Sequence, residues 1–127
     1  MNEPKILITN DDGIFSDGIL ALWQALSTIG ETLVVAPNQE RSASSHSITL
    51  NDPIRTQQIE RKKGFNGWSV NGTPADCVKI AIRTISGNLP DLVVSGINHG
   101  SNLGKNVFYS GTVSAAAEGA ILGIPSI

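Results

Sequence analysis

Two apolar rhythms alternate along the chain. Lys5 to Thr9, with Ile6-Leu7-Ile8 at its centre, is a short β-prone run, and Gly18 to Ile29 then spaces Ile19, Leu22, Trp23, Leu26 and Ile29 at helical intervals. These predict a first strand and a first helix. Thr32 to Ala36 is almost wholly apolar, as in a strand covered on both faces, and Pro37 ends it. The polar, serine-rich residues 37–47, PNQERSASSHS, predict a loop at the tip of that strand. From Ile48 to Val70 the rhythm breaks into Ile48 to Leu50, Ile54 to Ile59 and Trp68 to Val70, which predict a small antiparallel insertion.

Thr73-Pro74-Ala75-Asp76 predicts a helix start, with Thr73 as N-cap, Pro74 at the first helical position and an acid in the first turn. Val78, Ala81, Ile82 and Ile85 give it an apolar stripe. Asp91 to Ile97 reads as a third parallel strand, followed by a glycine- and asparagine-rich loop from Asn98 to Asn106. A further helix is expected from about Thr112 to Leu122, with Val113, Ala117, Ala120 and Ile121 inward and the small Ala115 to Ala117 run allowing close approach to a sheet. Gly123 stops it, and Ile124 to Ile127 opens a fourth parallel strand. The expected fold is α/β: one domain over residues 1–127, three-layer and Rossmann-like, with a mostly parallel sheet, helices on both faces and the small antiparallel insertion.

Composition narrows the function classes. Of 127 residues, 40% are hydrophobic and only 16% charged, which excludes a disordered chain and predicts a real core. Nine Lys and Arg against eleven Asp and Glu leave a formal charge of -2, so the basic excess that nucleic-acid binding needs is missing. Cys77 is the single cysteine, which excludes an internal disulfide and a cysteine-rich zinc site. The apolar runs are strand-sized, and the first of them leads directly into Asn10-Asp11-Asp12, so neither a membrane span nor a secretory signal is expected. A cytoplasmic protein is expected.

Ligands of an open parallel sheet bind beyond the carboxyl ends of its strands. Three polar tips fall there: Asn10-Asp11-Asp12-Gly13, the loop containing Ser42, and Asn98-His99-Gly100. Ser110-Gly111-Thr112 adds a helix start whose free N–H groups suit a phosphate. By itself Asp-Asp-Gly reads better as a turn that Asp11 caps, with Asp12 solvated. Convergence of the other polar loops favours a hard divalent cation, Mg²⁺ or Mn²⁺, held between the adjacent carboxylates. His46 and His99 lie too far apart for helix-spaced zinc ligation, and His99 reads equally as a phosphate contact or a packed side chain. His46 is read as ordering its loop, Cys77 and Trp23 as core, and Arg61-Lys62-Lys63 as a solvated hairpin turn. Gly96, Gly100 and Gly104 do not form a dinucleotide fingerprint, and Gly104-Lys105 is followed by Asn106, so no ATP-binding phosphate loop is present.

Five segments in order, ILITNDDG from Ile6, SASSHSIT from Ser42, VNGTPADC from Val70, VSGINHGSN from Val94 and YSGTVSAAAEG from Tyr109, resemble the successive motifs of the SurE (survival protein E) family of metal-dependent nucleotidases. The resemblance implies Asp11, Asp12, Ser42 and Asn98 as metal ligands, with Asp11 and Asp12 catalytic. It also implies Asn102, Ser110, Gly111 and Thr112 as the phosphate site, nucleoside monophosphates as substrates, and possible use of 3'-nucleotides and short polyphosphate. Family members form dimers or tetramers through a further C-terminal portion, whereas this sequence stops in its fourth strand. A shortened chain is therefore expected, one that keeps the site yet self-associates or is marginally stable, with reduced activity. A Mg²⁺-binding receiver-like signalling module is the alternative; it lacks support from Ser95-Gly96-Ile97-Asn98, where such a module needs a phosphoacceptor Asp.

Overall fold

The computed structural model describes residues 3–40, 53–97, 115–116, 119–120 and 123–127. Its elements in chain order are β1 (Lys5–Thr9), α1 (Asp17–Leu26), β2 (Glu31–Pro37), β3 (Thr56–Ile59), β4 (Gly67–Val70), α2 (Pro74–Ile80) and β5 (Leu92–Ser95). The sheet order is β3-β4-β2-β1-β5. β1 pairs in parallel with both β2 and β5, and β4 in parallel with β2, while β3 runs antiparallel along the outer side of β4. Taken alone, the four parallel strands have the order 3-2-1-4 of a Rossmann half, not the 2-1-3 order of the receiver-like fold.

Alternation along β1 divides the core. Ile6 and Ile8 point to one face, where they pack with Val34, Ala36, Ile14 and the α1 residues Ile19 and Trp23. Leu7 points to the other, with Val35, Val70, Val93 and the α2 residues Cys77 and Val78. Helices therefore cover both faces, and the near-continuous apolar runs of β1 and β2 follow from burial on each side. α2 starts as its sequence predicts: the Thr73 hydroxyl accepts from the Asp76 N–H at 3.2 Å, and the Asp76 carboxylate accepts from the Thr73 N–H at 2.9 Å. This reciprocal capping box satisfies two helix-end donors.

Several expectations need correction. The antiparallel element expected over Ile48 to Val70 is present in the pairing of β3 with β4, but it is joined to the main sheet, since β4 also runs parallel beside β2; Ile48 to Leu50 lie outside the described residues. Phe65, 2% exposed, sits edge-on to Trp23 with ring centroids 5.2 Å apart and ties the β3–β4 turn to the α1 face. α1 ends at Leu26, where the Ser27 N–H closes onto the Trp23 carbonyl, so Ile29 lies beyond the helix and is 59% exposed. The second helix continues through Ala81–Ile85 as a wider π turn, with the Ser86 N–H donating to the Ala81 carbonyl five residues back. That widening leaves Ile82 and Ile85 only partly buried, while Val78 and Ala81 are fully covered.

Near the end of the sequence, the inward positions among the described residues are Ala115 and Gly119, and Ala120 is exposed rather than inward; Val113, Ala117 and Ile121 lie outside them. Gly119 is the point of closest approach to Val93 and Ser126, which leaves no room for a side chain. Gly123 then closes the helix with a Schellman pattern, Gly123 N–H to Ala120 carbonyl and Ile124 N–H to Gly119 carbonyl. Residues Pro125 to Ile127 hydrogen-bond alongside β5 in parallel through a bridge between Val93 and Ser126, so the segment expected as a fourth parallel strand follows the four already in the sheet, β4 being the one the sequence pattern did not mark as parallel. No described helix is long and apolar enough to cross a membrane.

The Phe65 anchor generates a direct test. Phe65→Ala removes a fully buried ring and leaves Trp23 facing a cavity, so unfolding free energy from urea titration should fall by about 3–5 kcal/mol.

Candidate active site

Strand order reverses at β1: β2 and β4 lie to one side and β5 to the other, and the connections run over opposite faces. The crevice beyond the carboxyl ends of β1 and β5 is where such a sheet receives ligands. Asn10, Asp11 and Asp12 leave β1 into that crevice. Asn10 is fully buried and its side chain closes the turn: its carbonyl oxygen accepts from the Gly13 N–H at 3.1 Å, and its amide donates to the Gly13 carbonyl at 3.0 Å and the Ser16 hydroxyl at 2.9 Å. With these contacts directed into the turn, the Asn10 side chain shapes the loop. Gly13, at φ +108°, occupies a left-handed conformation that a side chain would strain, and its missing Cβ would lie 3.3 Å from the Gln39 backbone. Ser16 then caps α1, accepting from the Ile19 N–H at 3.5 Å.

The other strand exits are held against this loop and the first turn of α1 that follows it. The Ile14 N–H donates to the Pro37 carbonyl at 2.8 Å, which brings the end of β2, and Gln39 with Glu40 after it, alongside Gly13. Glu40 is two residues before Ser42. On the far side, Gly18 in the first turn of α1 packs directly onto the Ile97 carbonyl, and Ile97 immediately precedes Asn98. Ser42, Asn98, Asn102, Ser110, Gly111 and Thr112 themselves lie outside the described residues, as do His46 and His99.

Asp11 is 2% exposed and Asp12 half-buried. Two adjacent carboxylates withdrawn from water repel each other, and a hard cation between them offsets both charges. The donor set fits such an ion: carboxylate oxygens, no thiolate near, and Asn10 already committed elsewhere. The fit is strengthened just below, where the hydroxyls of Thr9 and Ser95, register partners across β1 and β5, are both buried without a hydrogen-bond partner among the described residues. Native cores rarely leave such groups unmet. A cavity of about 300 Å³ also exists, lined by Lys5, Glu31, Trp68 and Ile85 among others. It opens at the amino ends of the strands, the wrong edge of the sheet for this chemistry.

Three features escaped the sequence reading. Thr9 and Ser95 were legible only as polar ends of apolar strands. Arg61, expected in a solvated turn, instead donates through Nη1 to the carbonyls of Ile14 at 3.1 Å and Ser16 at 2.6 Å. Those partners lie more than forty residues away, where no local pattern could mark them. By contrast Cys77 and Trp23 are core residues as expected.

Known proteins are similar throughout. Residues 6–127 match the family model described as Survival protein SurE. A protein from Syntrophus aciditrophicus named 5'-nucleotidase SurE is 56% identical over 97% of this chain and 46% of its own length. One of the same name from Desulforudis audaxviator is also 56% identical, over 97% of this chain and 49% of its own. The crystal structure of the SurE protein from Aquifex aeolicus superposes with a TM-score of 0.86 at 50% identity, over 97% of this chain and 49% of that one. The chain thus spans about half the length of the relatives it matches. With the motif order, the strand order and these matches agreeing over nearly every residue, the chain belongs to the SurE family.

Proposed function

We propose that this chain carries the metal and phosphate site of a divalent-metal-dependent phosphomonoesterase that hydrolyses nucleoside monophosphates. The observation that carries the reading is the buried Asp11 beside Asp12 at the point of strand reversal, with the exit of β2 packed against the same loop and that of β5 against the first turn of α1 that follows it. The name 5'-nucleotidase borne by the relatives supports a nucleotide as substrate. Use of 3'-nucleotides and short polyphosphate belongs to the same proposal, as do a cytoplasmic setting and a homo-oligomer.

Asp11, Asp12, Ser42 and Asn98 would hold Mg²⁺ or Mn²⁺. When bound, such an ion supplies Lewis-acid polarisation and a lowered water pKa. Asp11, the more buried carboxylate, orients or deprotonates the attacking water, and Asp12 contributes mainly its charge. In-line attack builds charge on the phosphoryl oxygens, which N–H and hydroxyl groups of Ser110, Gly111 and Thr112, with Asn102, are suited to stabilise. No covalent intermediate is required. Asn10 and Gly13 hold the acid loop in shape while this occurs.

A panel of nucleoside monophosphates with and without Mg²⁺ and Mn²⁺ tests the proposal; metal-dependent release of inorganic phosphate is expected. A stable acyl-phosphate formed from acetyl phosphate, without turnover, would favour a signalling module and overturn it. Asp12→Asn keeps the shape and removes one charge, so Mn²⁺ affinity measured by calorimetry should fall by about 10-fold or more. Thr112→Val removes a hydroxyl from the phosphate segment; steady-state kinetics should show a lower kcat/KM for nucleoside monophosphates, with Mn²⁺ affinity unchanged.

A further inference from the structure

Arg61 reaches the acid loop from the far edge of the sheet. It follows β3, in the turn that Phe65 anchors against Trp23 and that the Phe65 N–H to Lys62 carbonyl bond closes at 2.9 Å. From there one guanidinium nitrogen donates to both the Ile14 and the Ser16 carbonyls, while its neighbours Lys62 and Lys63 stay exposed. Ile14 and Ser16 flank the stretch between Asp12 and the start of α1. The Ile14 N–H is already bonded to Pro37, and the Ser16 hydroxyl to Asn10. The loop is therefore fixed from three directions, by β2, by its own Asn10 turn, and by Arg61.

We propose that Arg61 is a positioning residue for the acid loop, fixing the backbone that presents Asp11 and Asp12; the claim rests on the reading of those two residues as metal ligands. A guanidinium suits the task because its charge is permanent and its donors are rigid, so it bonds two carbonyls at once without giving up a proton. A lysine ammonium also carries several donors on one nitrogen, but on a flexible stem without the planar guanidinium it would hold the two carbonyls less rigidly. Outer-shell groups that orient ligands in this manner affect metal affinity without touching the ion.

The test compares Arg61→Ala, Arg61→Lys and the control Lys62→Ala on the whole chain, reading Mn²⁺ affinity by calorimetry and amide hydrogen exchange of residues 11–16. Arg61→Ala should weaken Mn²⁺ binding by about 10- to 100-fold. Arg61→Lys should recover part of that loss, millimolar guanidinium should recover part of it for Arg61→Ala, and Lys62→Ala should bind as the parent does. Exchange at residues 14–16 should quicken in Arg61→Ala while β1 and β2 keep their protection, a separation that general destabilisation would not produce. Unchanged Mn²⁺ affinity in Arg61→Ala, or a loss that guanidinium leaves untouched and that spreads through the whole sheet, overturns the proposal. If the parent chain binds no Mn²⁺, the metal reading falls by itself. Exchange then still decides whether Arg61 holds the loop: quickened exchange at residues 14–16 supports the clamp, and unchanged exchange overturns it.

Discussion

Because β1 hydrogen-bonds to β2 along one edge and to β5 along the other, its side chains are enclosed between helices and its last residue, Thr9, can lead only into the crevice between the two crossovers. That double pairing dictates the shape of the acid loop. Asn10 must turn the chain within a few residues, since α1 has to start in time to cover Ile6 and Ile8. The tight turn forces a left-handed glycine at 13 and leaves Asp11 with little access to solvent. A carboxylate is thus buried through backbone geometry, and its chemistry is a consequence of where the strand ends.

Much of this was readable in residue order alone, for identifiable reasons. β1 and the start of α2 are encoded locally: an uninterrupted apolar run in one case, and Thr73, Pro74 and Asp76 at capping positions in the other. Asp11 and Asp12 stood out because they follow an apolar strand at the edge where the polar tips of other strands converge. What sequence could not supply was partner choice. Nothing in Gly67 to Val70 states that it lies beside β2 and not only beside β3, since both pairings suit a four-residue strand. The π turn likewise depends on how Ala81 and Ile85 meet the sheet, which helical periodicity ignores.

Long-range polar contacts were the other blind spot. Arg61 sits in a sequence context, Glu60-Arg61-Lys62-Lys63-Gly64, that is indistinguishable from an ordinary solvated turn. Only the burial of Phe65 four residues later, itself invisible without Trp23, brings the guanidinium to the loop. The edge of the sheet and the acid loop are therefore mechanically joined, although the chain passes through β2 and a long serine-rich segment between them.

The hydroxyls of Thr9 and Ser95, without a hydrogen-bond partner among the described residues, bear on stability. A buried polar group without a partner costs about 1–3 kcal/mol, a sizeable part of the roughly 5–15 kcal/mol that stabilises a typical domain. Valine has the shape of threonine and alanine nearly that of serine, so either would fill these strand tips without the polar group. Two hydroxyls side by side, one on each strand flanking the crevice, thus place polarity where folding alone gives no return for it.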